Sequence, residues 1–463
     1  MKNKINLDLI FKNAAKSEEE RTLSLFDLSI LGIGAIIGTG ILVLTGIVAA
    51  TTAGPAVVFS FLIAALASGL IGLCYSELAT AIPNSGSAYV YAWVTIGQLV
   101  GFLAGWTLLG VYMTTAATVA NGWTGYVRSF LHELGVNLPH QLLVAPSMGG
   151  WMNLPAFLMI LLITFVLTKG TGESKWINNA LVLVKLTIIL LFIVVSVPNV
   201  KTGNWSSFNP YGIKGIVTGA STVFFTFLGF DALATSAEDA KNVRHNLPRA
   251  IIISLVVTTS LYIVVSIVMT GVVAYPHLNV SEAMAYVLLS KGHDLAAQVV
   301  SAGAILGIMA VVYAFIYANS NVMKAMSRGG FLPQNWAKLN PKTQSPNLTL
   351  WISGCFAALL AGFFDLRNLA LIANVGSLSV FFLISLIVIL LRRQYPDLPR
   401  PFRIPFGNVI PIAAMLICAL LLANITFSAW EFYLGWLVVG FALYELYSKN
   451  HIIERTDIWL IRW

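Results

Sequence analysis

The chain has 463 residues, 58% of them hydrophobic and 10% charged, with a mean hydropathy of +0.83. No soluble domain of this length could keep such a composition in solution, so the sequence reads as an all-α polytopic membrane protein. The net charge of +8 would suit an acidic partner if it were clustered, but it is distributed as membrane topology requires, and no nucleic acid is expected as a partner.

Apolar runs of about 20 residues place twelve transmembrane helices at 26–48, 55–80, 98–127, 153–169, 176–197, 213–237, 249–273, 296–325, 347–363, 367–390, 406–423 and 428–447. With the N-terminus inside, cytoplasmic segments hold 21 of the 27 Lys and Arg, outer segments hold five, and Lys185 lies within a span. By the positive-inside rule both termini are expected in the cytoplasm. Residues 1–25 read as a charged cytoplasmic leader. The apolar run after it is too long for a signal-peptide core and has no small-residue cleavage pattern, so no removable targeting segment is expected. Cys74, Cys355 and Cys418 fall in apolar runs, where a thiol is a small inert hydrophobe, and neither a disulfide nor a metal site is expected.

Span 1 contains Gly32-Ile33-Gly34-Ala35-Ile36-Ile37-Gly38-Thr39-Gly40, four glycines in nine residues. Glycine favours non-helical backbone, and lipid cannot satisfy the N–H and C=O groups so released, so a break here must face protein or a polar cavity. In secondary transporters such half-helix ends bind substrate near the bilayer midplane, the N-terminus facing an anionic group and loose carbonyls a cationic one. An amino acid's carboxylate and ammonium fit that pair. The alternative is that the glycines only let helices pack closely.

Span 2 ends at Cys74-Tyr75-Ser76-Glu77, where Glu77 is near enough to the cytoplasmic face to reach the interface or to serve a gate. A connection without a basic residue, running through Gly86-Ser87-Ala88-Tyr89, leads into span 3. Lys185 lies about nine residues, or roughly 13 Å by helix rise, from either end of span 5, too deep to snorkel, so it must face the bundle interior. An ionisable group at that depth costs on the order of 3 kcal/mol or more and is a functional candidate. Two readings stand: its protonation depends on the transport state and couples protons to transport, or it is a permanent charge fixing span 5 to carbonyls of the broken span 1.

Span 6 carries a second irregularity, Phe224-Phe225-Thr226-Phe227-Leu228-Gly229-Phe230-Asp231-Ala232. Spans 1–5 occupy 26–197 and spans 6–10 occupy 213–390, and in each set the first helix is the broken one. Five spans is an odd number, so the second set is expected upside down relative to the first. The expected architecture is a 5+5 inverted repeat with discontinuous helices 1 and 6, then two C-terminal helices in 406–447 and a cytoplasmic tail at 448–463. Binding is expected where the two broken helices meet, which favours the site reading of the glycine stretch.

With both irregular stretches and twelve spans assembled, the chain resembles the amino acid, polyamine and organocation (APC) superfamily of permeases, in its bacterial branch similar to the cationic amino acid transporters. The similarity runs over nearly the whole chain and includes Gly54-Pro55-Ala56, Asn204-Trp205-Ser206 and Ser327-Arg328-Gly329-Gly330-Phe331-Leu332-Pro333. The resemblance implies alternating access and amino acid import, often with a proton. It implies that Ile37, Gly38, Thr39 and Gly40 hold the substrate carboxylate, and that carbonyls near Ile36 and around Phe225, Thr226 and Leu228 meet its amine. A lysine at the place of Lys185 marks proton-coupled members. Val111 stands where relatives carry a glutamate, Asn321 where an arginine is usual and Gly329 where an aspartate is usual, which takes away charges a cationic substrate would use.

Asp231 can cap the second half-helix, serve a gate or meet a cationic substrate, and capping is the cheapest of these. Phe225, Phe227 and Phe230 read as packing residues, one of them beside the break able to cover substrate, and Thr39 can donate to a carboxylate or back to a span 1 carbonyl. With Val111, Val312, Ala314, Phe315 and Ile316 around it the pocket is expected to be hydrophobic and suited to neutral aliphatic amino acids. The expected function is a proton-coupled secondary importer in the cell membrane, with no cofactor other than the proton, the lipid bilayer as its medium, and a small accessory membrane subunit left open. The alternatives are a cationic amino acid or polyamine exchanger and, in another class, a sensor that binds without transport. An enzyme is disfavoured, since no cluster of His, Cys or acids has ligand or nucleophile spacing.

Overall fold

The computed structural model describes residues 23–451 apart from 83–86, 134, 137, 171–174, 236–239 and 344. Most of the leader, the tail beyond residue 451 and the start of the connection after span 2 therefore lie outside the described residues. Among those described there is no strand, and Leu23 and Ala240 form one isolated bridge. The protein is all-helical and multi-pass: seven apolar helical runs of 18 residues or more are long enough to cross a bilayer, and five apolar helices of 10–17 residues accompany them.

Helix α1 (Leu25–Ile36) starts at a reciprocal cap, the Ser24 side chain accepting from the Asp27 N–H and the Asp27 carboxylate accepting from the Ser24 N–H at 2.9 Å. It stops inside the glycine stretch. The chain resumes as a π turn (Gly40–Leu44), α2 (Thr45–Val48) and a second π turn (Ala49–Ala53), then turns at Gly54, φ 63°, into α3 (Val57–Ala81). The bend at Gly54 falls between expected spans 1 and 2, with the helical turns of 40–53 before it and α3 after it. At Ile37, with ψ 104°, helix α1 is interrupted, whereas at Gly54 the chain bends at a single positive-φ residue with helical turns on both sides. The connection into span 3 is itself a helix, α4 (Ser87–Thr95), with Tyr89, Tyr91 and Trp93 buried.

The remaining helices are α5 (Gln98–Glu133), α6 (Leu154–Thr168), α7 (Lys175–Ser196), α8 (Gly212–Val223), α9 (Phe230–Thr235) and α10 (Val243–Val272). They are followed by α11 (Ala283–Leu289), α12 (Asp294–Arg328), α13 (Asn347–Phe363), α14 (Leu366–Gln394), α15 (Val409–Ala423) and α16 (Phe427–Leu443). Helices α1 and α3 both pack on α10, and α3 also on α8, while α5 runs between α12 and α14. Helix α16 is held to α5 by two tryptophans stacked 4.4 Å apart, Trp106 donating to the Trp436 carbonyl at 2.7 Å and Trp436 to the Trp106 carbonyl at 2.8 Å. Each indole thereby satisfies its polar edge inside an apolar contact.

Candidate functional site

A helix leaves its last four carbonyls without intrahelical donors, so the end of α1 at Ile36 releases those of Ile33, Gly34, Ala35 and Ile36. Ile33 accepts from the Ile37 N–H at 2.9 Å. Gly34 accepts from Lys185 Nζ at 2.9 Å, and Ile36 accepts from the Tyr262 hydroxyl at 2.9 Å. The Ala35 carbonyl lies against Gly229, 2.7 Å from where a Cβ there would stand. Both the glycine and its φ of 119° are required at that crossing of the two breaks.

The second break is built the same way. Helix α8 gives way to a 3₁₀ turn (Phe224–Phe227) and an extended Leu228 before α9 begins. Asn374 of α14 donates to the freed carbonyls of Ser221 at 2.8 Å and Thr222 at 3.2 Å. The Tyr262 hydroxyl also reaches the Thr226 carbonyl at 3.0 Å. A phenol carries one proton, so Tyr262 shares it between the two breaks and ties them together. Phe61 and Phe227 hold its ring, with centroids 5.1 and 5.3 Å away.

Two hydroxyls at this junction are buried and have no hydrogen-bond partner among the described residues, those of Thr39 and Thr226. Thr39 does not bond back to a carbonyl of its own helix, and its methyl rests on α5 at Gly122. The N–H groups of Gly38, Thr39 and Gly40 open the helical run that starts at Gly40, where a helix presents unsatisfied donors. The Ile36 and Thr226 carbonyls already accept from Tyr262, each keeping a second lone pair. Phe225 and Leu228 are buried beside them, and the Phe225 carbonyl accepts from the Leu228 N–H at 3.2 Å.

Gly40 and Gly38 differ sharply. A Cβ on Gly40 would stand 2.4 Å from Thr226 Cβ, so here the glycine permits close packing of the two breaks. A Cβ on Gly38 would meet only Val311, at 3.5 Å. One turn along α12, Phe315 packs on the Tyr112 ring at 5.8 Å. Val311 thus faces the break and Phe315 faces Tyr112; Val312 and Ile316 are fully buried and Ala314 is exposed. Val111 turns onto α14 at Gly376, and its neighbour Tyr112 faces the site, donating to Asp231 Oδ2 at 3.2 Å. Asp231 sits in the first turn of α9 and its Oδ1 accepts the Gly229 N–H at 3.2 Å, in keeping with capping. Phe230 is a packing residue, fully buried between Phe381 at 5.3 Å and Tyr75 at 6.2 Å.

Lys185 is 3% exposed although Leu183, two residues earlier on the same helix, is 65% exposed, as the 100° step per residue of an α-helix dictates. Gly307 of α12 makes room for it: a Cβ there would stand 2.9 Å from Lys185 Cγ.

Glu77 does not reach the interface. It is 2% exposed and takes a bidentate pair from Arg392 at 2.8 and 2.5 Å, plus the Ile404 N–H at 2.8 Å, with Arg400 at 3.8 Å. The cause is that Arg392, in the last turn of α14, and Arg400 and Ile404, in the segment after it, converge on the carboxylate. Removing one partner of a buried pair leaves the other charge uncompensated, so Glu77→Ala should cost about 3 kcal/mol or more, and Glu77→Gln less, because the amide oxygen still accepts. The check is the thermal unfolding midpoint in detergent; an Ala variant melting with the wild type would deny the network a structural role.

Sequence reasoning missed Tyr112, Tyr262 and Asn374. Asn374 had a usable signal, since an amide in the middle of an apolar span is costly unless it has a task. The two tyrosines had none, because tyrosine is common in spans and the partner of each is far away in the chain.

A family model described as amino acid permease matches residues 23–443. The chain is 46% identical over 433 residues to a methylthioribose transporter of Bacillus subtilis, covering 93% of this chain and 94% of that protein. It is 43% identical over 449 residues to the branched-chain amino acid permease BcaP of the same organism, covering 96% of each. The mouse cationic amino acid transporter 4 is 34% identical over 395 residues, 84% of this chain and 62% of that protein. From residue 23 to 443, then, across both broken helices and the residues that tie them together, the chain belongs to the amino acid permease family of the APC superfamily.

Proposed function

We propose that this permease is a secondary active importer of neutral amino acids, the branched-chain set first, driven by inward proton movement in the plasma membrane. On this reading it works by alternating access with a five-plus-five inverted repeat and both termini in the cytoplasm. The observation that carries the substrate assignment is apolar Val311 opposite Gly38, with Phe315 one turn along α12 against Tyr112. An uncharged side chain loses nothing there, whereas a second positive charge would need a group to replace its water. Kinship with the branched-chain permeases supports the same reading. The paired ends of the breaks, donors at 38–40 and carbonyls at 36 and 226, suit a zwitterion.

Kinship with a methylthioribose transporter favours a second reading, uptake of an uncharged thioether sugar. Such a ligand has neither carboxylate nor ammonium and would leave the helix-end groups to hydroxyls. The deciding experiment is uptake of radiolabelled leucine into proteoliposomes in competition with a tenfold excess of each candidate. Inhibition by isoleucine and valine above that by arginine or lysine is expected. Stronger inhibition by the cationic set would overturn the assignment, and leucine uptake absent while methylthioribose is taken up would move it to the second reading.

A further inference from the structure

We propose that Tyr112 is a specificity-determining residue: its hydroxyl occupies Asp231 and so keeps a buried carboxylate from recruiting a cationic substrate side chain. The inference rests on the neutral-substrate reading above and names a device that enforces it. Five contacts place the pair at the site. Gly38 faces Val311; Phe315, one turn along α12, packs on Tyr112; Tyr112 donates to Asp231; Asp231 accepts from Gly229; and Gly229 lies against the Ala35 carbonyl of the first break. The chain of contacts closes on itself, so Tyr112 and Asp231 belong to the ring of groups around the two breaks. Asp231 and Tyr112 are each 7% exposed and Phe315 is 9% exposed.

A carboxylate in such surroundings has to be satisfied by donors or by a cation. Asp231 Oδ1 accepts the Gly229 N–H at the start of the short helix. Oδ2 is the oxygen that an ammonium or guanidinium would take, and it accepts the Tyr112 hydroxyl. The phenol stabilises the oxygen without bringing a positive charge, and Phe315 packs against its ring. A lysine or arginine side chain would have to displace an internal donor that costs no binding entropy, whereas leucine or valine asks nothing of Asp231. Position 111, the neighbour that rests on Gly376, does not contribute to this choice.

Tyr112→Phe removes only the hydroxyl and keeps the ring against Phe315. In the variant, arginine and lysine should compete against labelled leucine about tenfold better relative to isoleucine than in the wild type, the equivalent of one hydrogen bond lost from a charged group. Tyr112→Phe combined with Asp231→Asn should lose that gain. A purely structural role for Tyr112 would weaken all competitors together and leave their ratio unmoved. A second readout needs no transported substrate: thermal stabilisation of the detergent-purified protein by arginine should rise in Tyr112→Phe over wild type. If the Phe variant is not recovered folded, Tyr112→Leu removes the same donor and is scored alike. An unchanged arginine response, or a gain that persists with Asp231→Asn, overturns the proposal. Failure of the neutral-substrate reading would appear separately, in the competition profile of the wild type.

Discussion

Lys185→Ala should abolish uphill amino acid accumulation driven by an inward proton gradient while leaving exchange across a membrane without that gradient. The amine is 3% exposed and donates at 2.9 Å to the Gly34 carbonyl, one of the four that the end of α1 releases. Among the described residues no carboxylate pairs with it. A buried ammonium with a carbonyl acceptor and no counter-charge is a poorly compensated cation, and losing the proton would also weaken its grip on α1. On the coupling view, proton release and movement of the first half-helix would be joined through this one hydrogen bond. The competing view, that Lys185 is a fixed strut, makes a different prediction: removing a strut would impair exchange and accumulation together and lower the melting point. Accumulation at the wild-type level, at equal protein in the vesicles, would defeat the coupling view.

What could be read from the sequence was whatever a short window determines. The break in span 1 was legible because four glycines in nine residues contradict a membrane helix on their own, and Lys185 because a lone charge at mid-span allows only an inward direction. The helix at 347–363 was placed at the residues where it stands. The site's long-range contacts were not legible. Tyr112 and Asp231 lie 119 positions apart, Glu77 and Arg392 lie 315 apart, and no local pattern announces either pair. Facing direction was the other blind spot. A step of one residue turns a helix face by about 100°, enough to set Val111 on Gly376 while Tyr112 meets Asp231, and to turn Ala314 outward while Phe315 packs inward. The glycines also divide between neighbours: Gly40 packs tightly on Thr226, while Gly38 has room for a Cβ.

That division sets the second large effect, a contrast between Gly38→Val and Gly40→Val. At Gly40 the new Cβ would stand 2.4 Å from Thr226 Cβ and 2.8 Å from Thr226 Cα. The nearest backbone belongs to the second break, so the clash cannot be relieved by turning a side chain, and the two breaks must separate. Overpacking of this kind costs about 1–3 kcal/mol, and it would also strain the Tyr262 bridge that spans Ile36 and Thr226. Gly40→Val should therefore lose both transport and several degrees of thermal stability. At Gly38 the Cβ would meet Val311 at 3.5 Å, an ordinary contact, so a Cβ there is accommodated beside the N–H groups at 38–40. Gly38→Val should purify as a monodisperse protein with a nearly wild-type melting point, yet bind leucine at least about tenfold more weakly, because a carboxylate needs that close approach to backbone N–H groups. Should Gly38→Val transport leucine at the wild-type rate, the carboxylate is not held at this break; should it melt as early as Gly40→Val, the glycine at 38 serves packing as well.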